Sequence, residues 1–378
     1  MSPKTKRGGL TSFAIGLAAG AGLVWLRNRR LRKAPHTLPD QKRISRSLSR
    51  TLAQARREAV IPLLPGQRYI LFSDHHKGAG DVADDFRPCK ETYLHALNEY
   101  YQEGYTLVLL GDAEELWEND LPEVFESHGE VFEAEARFYS QRYLRVVGNH
   151  DDAWYVEANV RRYLHPLYPE LRVYNGLLFQ HTGGPQTSGE IFLAHGHQGT
   201  LDAETFRFIP PLVLPLYRQV QNLTGIGHTS PSEDECLRSE HDTMMYRWAS
   251  RQGKLLFIAG HTHRPIWSSR THLEKLLWQY TSLIQLKPEQ RPADYEQQLE
   301  RLQQEITERE AKFPPCSDTI KVRPCYFNTG CCRFEDGDIT GIEIDGGELR
   351  LVKWGKRAGT IQRSELEKGS LSEIFALL

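Results

Sequence analysis

The chain has 378 residues, 39% hydrophobic and 25% charged, with a formal net charge of -2. That is the balance of an ordinary soluble globular protein, long enough for one large domain with insertions or two small ones, and it gives no global argument for nucleic-acid or acidic partners. The six cysteines (Cys89, Cys236, Cys316, Cys325, Cys331, Cys332) show no C-x-x-C spacing, which argues against a zinc finger or disulfide framework and makes a reducing compartment the default.

Residues 8–26 carry no charge. As a helix they would extend about 28 Å, roughly one bilayer core. Lys4, Lys6 and Arg7 precede them, and Arg27, Arg29, Arg30, Arg32 and Lys33 follow. That flank pattern would keep the downstream domain cytoplasmic. Gly16 and Gly20 form a small-xxx-small face on which such helices pair. The expectation for residues 1–35 is a basic and apolar segment that anchors the chain in a membrane. No acidic residue occurs before Asp40, which also fits an import presequence. Residues 36–66 read as a polar linker with a helix around Ser47 to Ala59, ended by Pro62 and Pro65.

From residue 67 onward, short apolar runs alternate with helical patterns. Five of these runs read as buried strands bounded by turn residues. The run at 68–72 leads to Asp74-His75-His76, and that at 106–110 to Gly111-Asp112. The run at 143–147 leads to Gly148-Asn149-His150-Asp151, that at 191–194 to His195-Gly196-His197, and that at 255–259 to Gly260-His261-Thr262-His263. Residues i and i+2 of an extended chain share a side. Asp74 is thereby paired with His76, His261 with His263 and His195 with His197, while His75 points away. Ligands of α/β sheets gather at the carboxyl ends of strands, so one rim collects oxygen and nitrogen donors suited to divalent metals.

Between the runs, a helix at 90–102 carries Tyr93, Leu94, Leu97 and Tyr101 on one stripe, and a second helix covers 121–139. Asn175-Gly176 between 171–174 and 177–180 reads as a tight hairpin. An insertion at 200–253 holds Phe206, Phe208, Tyr217 and a helix near 240–251. It is read as a substrate-binding cap, or as a packing elaboration. A second insertion, 271–318, contains a charged helix at 296–310 whose seam of Leu299, Leu302 and Ile306 could pair with another chain or lie on the surface. Short strands near 323–328, 332–335, 341–344 and 349–354 close the domain at 358, with hairpin turns at 336–338 and 345–347. A tail, 359–378, follows.

The series D-x-H, G-D-x-x-E, G-N-H-D, H-G and G-H-T-H, in this order, resembles the calcineurin-like metallophosphoesterase superfamily. The resemblance covers about residues 67 to 354. It implies an αββα sandwich of two mixed β-sheets flanked by helices, here with helical insertions and an N-terminal apolar helix. It also implies a dinuclear centre in which Asp112 bridges two divalent ions. Asp74, His76 and His263 would complete one site, and Asn149, His195 and His261 the other. His150 would stabilise the transition state or protonate the leaving oxygen, Asp151 would orient it, and Glu115 would hold ligands in place from behind. The ligand set suits manganese, iron or zinc.

The reaction so implied is hydrolysis of a phosphate mono-, di- or pyrophosphate ester by a metal-bridging hydroxide. Lys77 departs from the apolar residue common at its position; it and Arg264 are each read as reaching a substrate phosphate or facing solvent. His197 is read as lining the pocket. Residues 74–78, 111–117 and 260–265 are similar to the branch containing UDP-2,3-diacylglucosamine pyrophosphohydrolase, although the insertions and the N-terminus depart from it. Two other readings stand beside the enzyme. A catalytically silent scaffold on this fold should lack several ligands. A nuclease would favour a basic groove, and the basic cluster of this chain lies outside the domain, so no nucleic acid is expected.

Overall fold

The computed structural model describes residues 40–82, 84–139, 142–184, 186–200, 235–312 and 321–378. The apolar stretch at 8–26 and most of the 200–253 insertion lie outside them. Among the described residues no helix is long and apolar enough to cross a membrane.

Two sheets form the frame. One has seven strands in the order β13-β12-β11-β2-β3-β4-β5, the other six in the order β1-β6-β7-β8-β10-β9. In the first, β2 (Arg68–Phe72), β3 (Thr106–Leu110), β4 (Tyr143–Val146) and β5 (Val173–Tyr174) run parallel. Strands β11 (Ile339–Asp345), β12 (Glu348–Arg357) and β13 (Thr360–Ser370) add antiparallel. In the second, β1 (Val60–Leu63) pairs parallel with β6 (Leu177–His181), and β7 (Gly189–Leu193) lies between β6 and β8 (Leu255–Ala259). Strand β10 (Tyr326–Thr329) then joins β8, and β9 (Pro265–Ile266) forms the edge.

Alternation along each strand sorts its side chains between two layers. Tyr69, Leu71, Val108 and Leu110 meet Phe179, Ile191, Leu256 and Ile258 between the sheets. Ile70, Phe72, Leu107 and Leu109 face outward under α2 (Lys90–Gln102), α3 (Leu121–Ser127) and α4 (Gly129–Ala136). Leu178, Phe192 and Phe257 face outward under α1 (Gln41–Glu58) and α5 (Glu235–Ala249). The result is the expected αββα sandwich of two mixed sheets.

Several expectations need correction. Of the expected linker 36–66, residues 40–66 are described and pack onto the domain: α1 buries Ile44, Leu48, Leu52 and Ala55, and Pro62 sits in an edge strand, where a missing N–H is tolerated. The helix expected at 121–139 is broken at His128 into α3 and α4. Asn175-Gly176 makes no hairpin, because β5 pairs with β4 in one sheet and β6 with β7 in the other; the turn carries the chain across the sandwich. Residues 332–335 form no strand. The 359–378 segment is no tail, since it supplies β13 and then α8 (Leu371–Ala376), which buries Leu371, Ile374 and Phe375. The seam of the 296–310 helix is covered within the chain: Leu302 and Ile306 of α7 (Tyr295–Lys312) pack on Leu276 and Leu283 of α6 (His272–Ile284).

Candidate metal centre

The strands β2, β3, β4, β7 and β8 deliver the donors foreseen, but through turns rather than through extended strand ends. Strands β2 and β8 stop at Phe72 and Ala259. Asp74, His76, Asp112, His261 and His263 then all adopt φ between 51° and 69°. That left-handed region is unfavourable for non-glycine residues, and strain of this kind collects at functional sites. Two glycines let the turns approach one another. A side chain on Gly148 would collide with the Asp112 carboxylate, and one on Gly260 with Asp74 and Ser73.

The donors converge into three overlapping groups whose ligand atoms lie within 4.8 Å of one another: Asp74 with His76 and His263, His76 with Asp112 and His150, and Asp112 with His195 and His261. All are buried or nearly so. His263 Nε2 is 3.1 Å from Asp74 Oδ1, and His195 Nε2 is 3.0 Å from Asp112 Oδ2. His195 Nδ1 donates to the Leu110 carbonyl at 2.9 Å, which fixes the tautomer and leaves the Nε2 lone pair available as a ligand atom. The Asp74 carboxylate also accepts the His261 N–H at 3.0 Å. Asn149 Oδ1 and His261 Nε2 are buried without a hydrogen-bond partner, a costly arrangement unless a cation satisfies them. The donor set therefore fits divalent metal ions.

Burial pushes the Asp74 and Asp112 carboxyls up, but the imidazoles around them win and hold both below the usual carboxylate range. Burial opposes charge on His150, yet Glu115 and Asp112 raise it to about 9. Burial pushes His263 down to about 3. The carboxylates are thus held ionised and the His263 imidazole neutral, the states that metal binding requires.

Glu115 lies behind the ligands as foreseen, 2.8 Å from His76 Nδ1 and 2.7 Å from His150 Nδ1. The role given to Asp151 is corrected by this geometry. Its carboxylate accepts the Ala113 and Gly148 N–H groups at 3.0 and 2.6 Å, so Glu115, not Asp151, orients His150. Lys77 is corrected too, being fully buried between Glu114 and Glu135. It reaches neither phosphate nor solvent. Arg264 is half-buried, 4.0 Å from Asp242, and His197 lies beside His195 with ring centroids 5.4 Å apart. His75 packs among Phe72, Phe86 and Tyr93, away from the donors.

Sequence reasoning gave no role to Trp117, whose ring stacks on His150 at 3.9 Å; its signal was its place two residues after Glu115. It also missed His241, whose Nε2 donates to the Gly196 carbonyl at 2.8 Å and whose ring lies 5.0 Å from the His261 ring. Nothing in the sequence points from α5 to this loop.

The family model for calcineurin-like phosphoesterases matches residues 67–265, more than half of the chain. The chain belongs to this family. It is accordingly a metallophosphoesterase, an enzyme acting on phosphate ester bonds. No curated protein sequence matches it. Among solved structures it is similar to Vacuolar Protein Sorting 29 from Cryptosporidium parvum, with 11% identity, 81% of this chain and 100% of that chain covered, and a TM-score of 0.31. A Vps29 single mutant from Entamoeba histolytica gives 12% identity, 80% and 100% coverage, and a TM-score of 0.30.

Proposed function

We propose that the chain hydrolyses a phosphate mono-, di- or pyrophosphate ester at a pair of divalent cations, manganese, iron or zinc. When bound, such a pair generates a nucleophile at neutral pH and neutralises charge on phosphate oxygens. Asp74, His76 and His263 would hold one cation and Asn149, His195 and His261 the other. The observation that carries this reading is the position of Asp112, which groups with His76 of the first set and with His195 and His261 of the second, so that it can serve both cations. Asp74 and Asp112 offset only half the charge of two dications, so the site attracts an anionic substrate. With Nδ1 held by Glu115, His150 can present only Nε2 to the site, where it is placed to stabilise the phosphoryl oxygens or pass a proton to the leaving oxygen.

The test is a hydrolysis screen of chain reconstituted with Mn²⁺, Fe²⁺ or Zn²⁺, over generic phosphate monoesters, diesters and pyrophosphate diesters. The last arm covers the narrower lipid-nucleotide reading. Activity should vanish with chelator and return with metal. Asp112→Asn should lose more than the roughly 10–100-fold typical of groups behind the ligands. Wild-type hydrolysis by Asp112→Asn would overturn the dinuclear reading, and metal uptake without hydrolysis in any arm would favour the silent scaffold.

A further inference from the structure

Behind Asp112 lies a set of buried charges that hydrolysis itself does not use. Lys77, Glu114, Glu135, Arg145 and Asp151 are each 0% exposed. Lys77 Nζ donates to Glu135 Oε1 at 2.8 Å and lies 3.3 Å from Glu114 Oε1. Arg145 Nη2 donates to Glu114 Oε2 and lies 3.7 Å from Asp151. Trp154 Nε1 donates to the same Glu114 oxygen at 2.8 Å, while Tyr93 and Tyr143 donate to Glu135 at 3.3 Å. Glu114 is the hub.

We propose that this lattice positions the metal ligands of the seven-stranded sheet and thereby sets metal affinity, an inference that rests on the metal reading above. Three of its five members sit on the ligand-bearing turns themselves. Lys77 follows His76, Glu114 lies two residues after Asp112, and Asp151 two after Asn149. The backbone laces the first two together: His76 N–H donates to the Asp112 carbonyl at 3.0 Å, Lys77 N–H to Ala113 at 3.1 Å, and Glu115 N–H to Lys77 at 3.0 Å. Asp74, His76 and Asp112 are held there in left-handed conformations, which persist only where the surroundings over-determine them. Buried ion pairs are poor sources of net stability, since apolar side chains of similar volume do as well or better. Five buried charges at this place are therefore better explained by the unique arrangement they impose than by the stability they supply. Lys77 is fully buried beside Glu114 and Glu135, where its charge completes the lattice.

The experiment is a Mn²⁺ titration of the full chain, read as free Mn²⁺ by electron paramagnetic resonance, for wild type and Glu114→Gln. The variant keeps the side chain's shape and should stay folded, with Mn²⁺ affinity lowered about 10–100-fold. At saturating Mn²⁺, kcat on a generic phosphate ester should recover toward wild type with KM unchanged. Leu52→Ala, a core truncation under the other sheet, controls for lost stability and should bind Mn²⁺ as wild type does. Unchanged affinity in folded Glu114→Gln, or an equal loss in Leu52→Ala, would overturn the proposal. Should Glu114→Gln not fold, Arg145→Lys keeps the charge but not the reach to both Glu114 and Asp151, and the same affinity criterion applies. A wild-type chain that takes up none of Mn²⁺, Fe²⁺ and Zn²⁺ fails the metal reading itself, and this proposal with it.

Discussion

Behind the ligand turns of the seven-stranded sheet stand five buried charges, whereas the turn at 260–263 of the six-stranded sheet rests on hydroxyls, an amide and one carboxylate. Thr262 and Tyr326 each donate to Asp242 Oδ1 at 2.8 Å. Asn328 Nδ2 donates to the Gly260 carbonyl at 2.6 Å and to Thr262 Oγ1 and Tyr326 Oη at 3.1 Å. Both braces hold residues of positive φ, but they should fail differently. Removing one ion of a lattice strands its partner in a poorly solvating interior. Removing one hydroxyl from the hydrogen-bonded network around Asp242 leaves each remaining group with another partner.

The sharpest break comes from Lys77→Met, which preserves volume and deletes the cation between Glu114 and Glu135. Loss of one partner of a buried ion pair costs about 3–5 kcal/mol, and that loss is expected in the midpoint of denaturant unfolding. A variant as stable as wild type would show the lattice to be energetically idle. Tyr326→Phe is the matched change on the other side. Asp242 keeps Thr262, and Asn328 keeps Gly260 and Thr262, so the expected loss is about 1 kcal/mol. An equal loss in the two variants would erase the distinction between the braces.

How much of this was legible in the sequence follows from range. The ligand turns were readable because each lies at the end of a local apolar run, and a five-residue run such as 255–259 announces burial by itself. Their convergence came with the strand order, since parallel strands put their carboxyl ends on one rim. The braces were hidden for the opposite reason. Lys77 reads from the sequence as reaching a substrate phosphate or facing solvent because its partner Glu135 is 58 positions away, and Asp242 lies 84 positions from Tyr326. The local signal at Asp151 was misread for the same reason: adjacency to His150 suggested contact, while the turn aims its carboxylate at the Ala113 and Gly148 amides. Pro62 and Pro65 suggested a linker, yet a proline also suits an edge strand. Only the pairing of Val60–Leu63 with β6 decides between the two.

The smallest effect belongs to an ion pair of the same chemistry as the lattice but placed in solvent. Arg56 of α1 meets Glu190 of β7 at 2.5 Å, with half of the arginine side chain and about a third of the glutamate exposed. Water already solvates both ions when they separate, and salt screens what attraction remains. Arg56→Gln should therefore change stability by less than about 1 kcal/mol, measured by the same denaturant midpoint. The pair nevertheless closes contact between α1 and the six-stranded sheet, as Leu48 and Leu52 do by burial. If Arg56→Gln cost as much as Lys77→Met, the charge itself and not its removal from water would govern these contacts, and the lattice behind Asp112 would lose its claim to a special role.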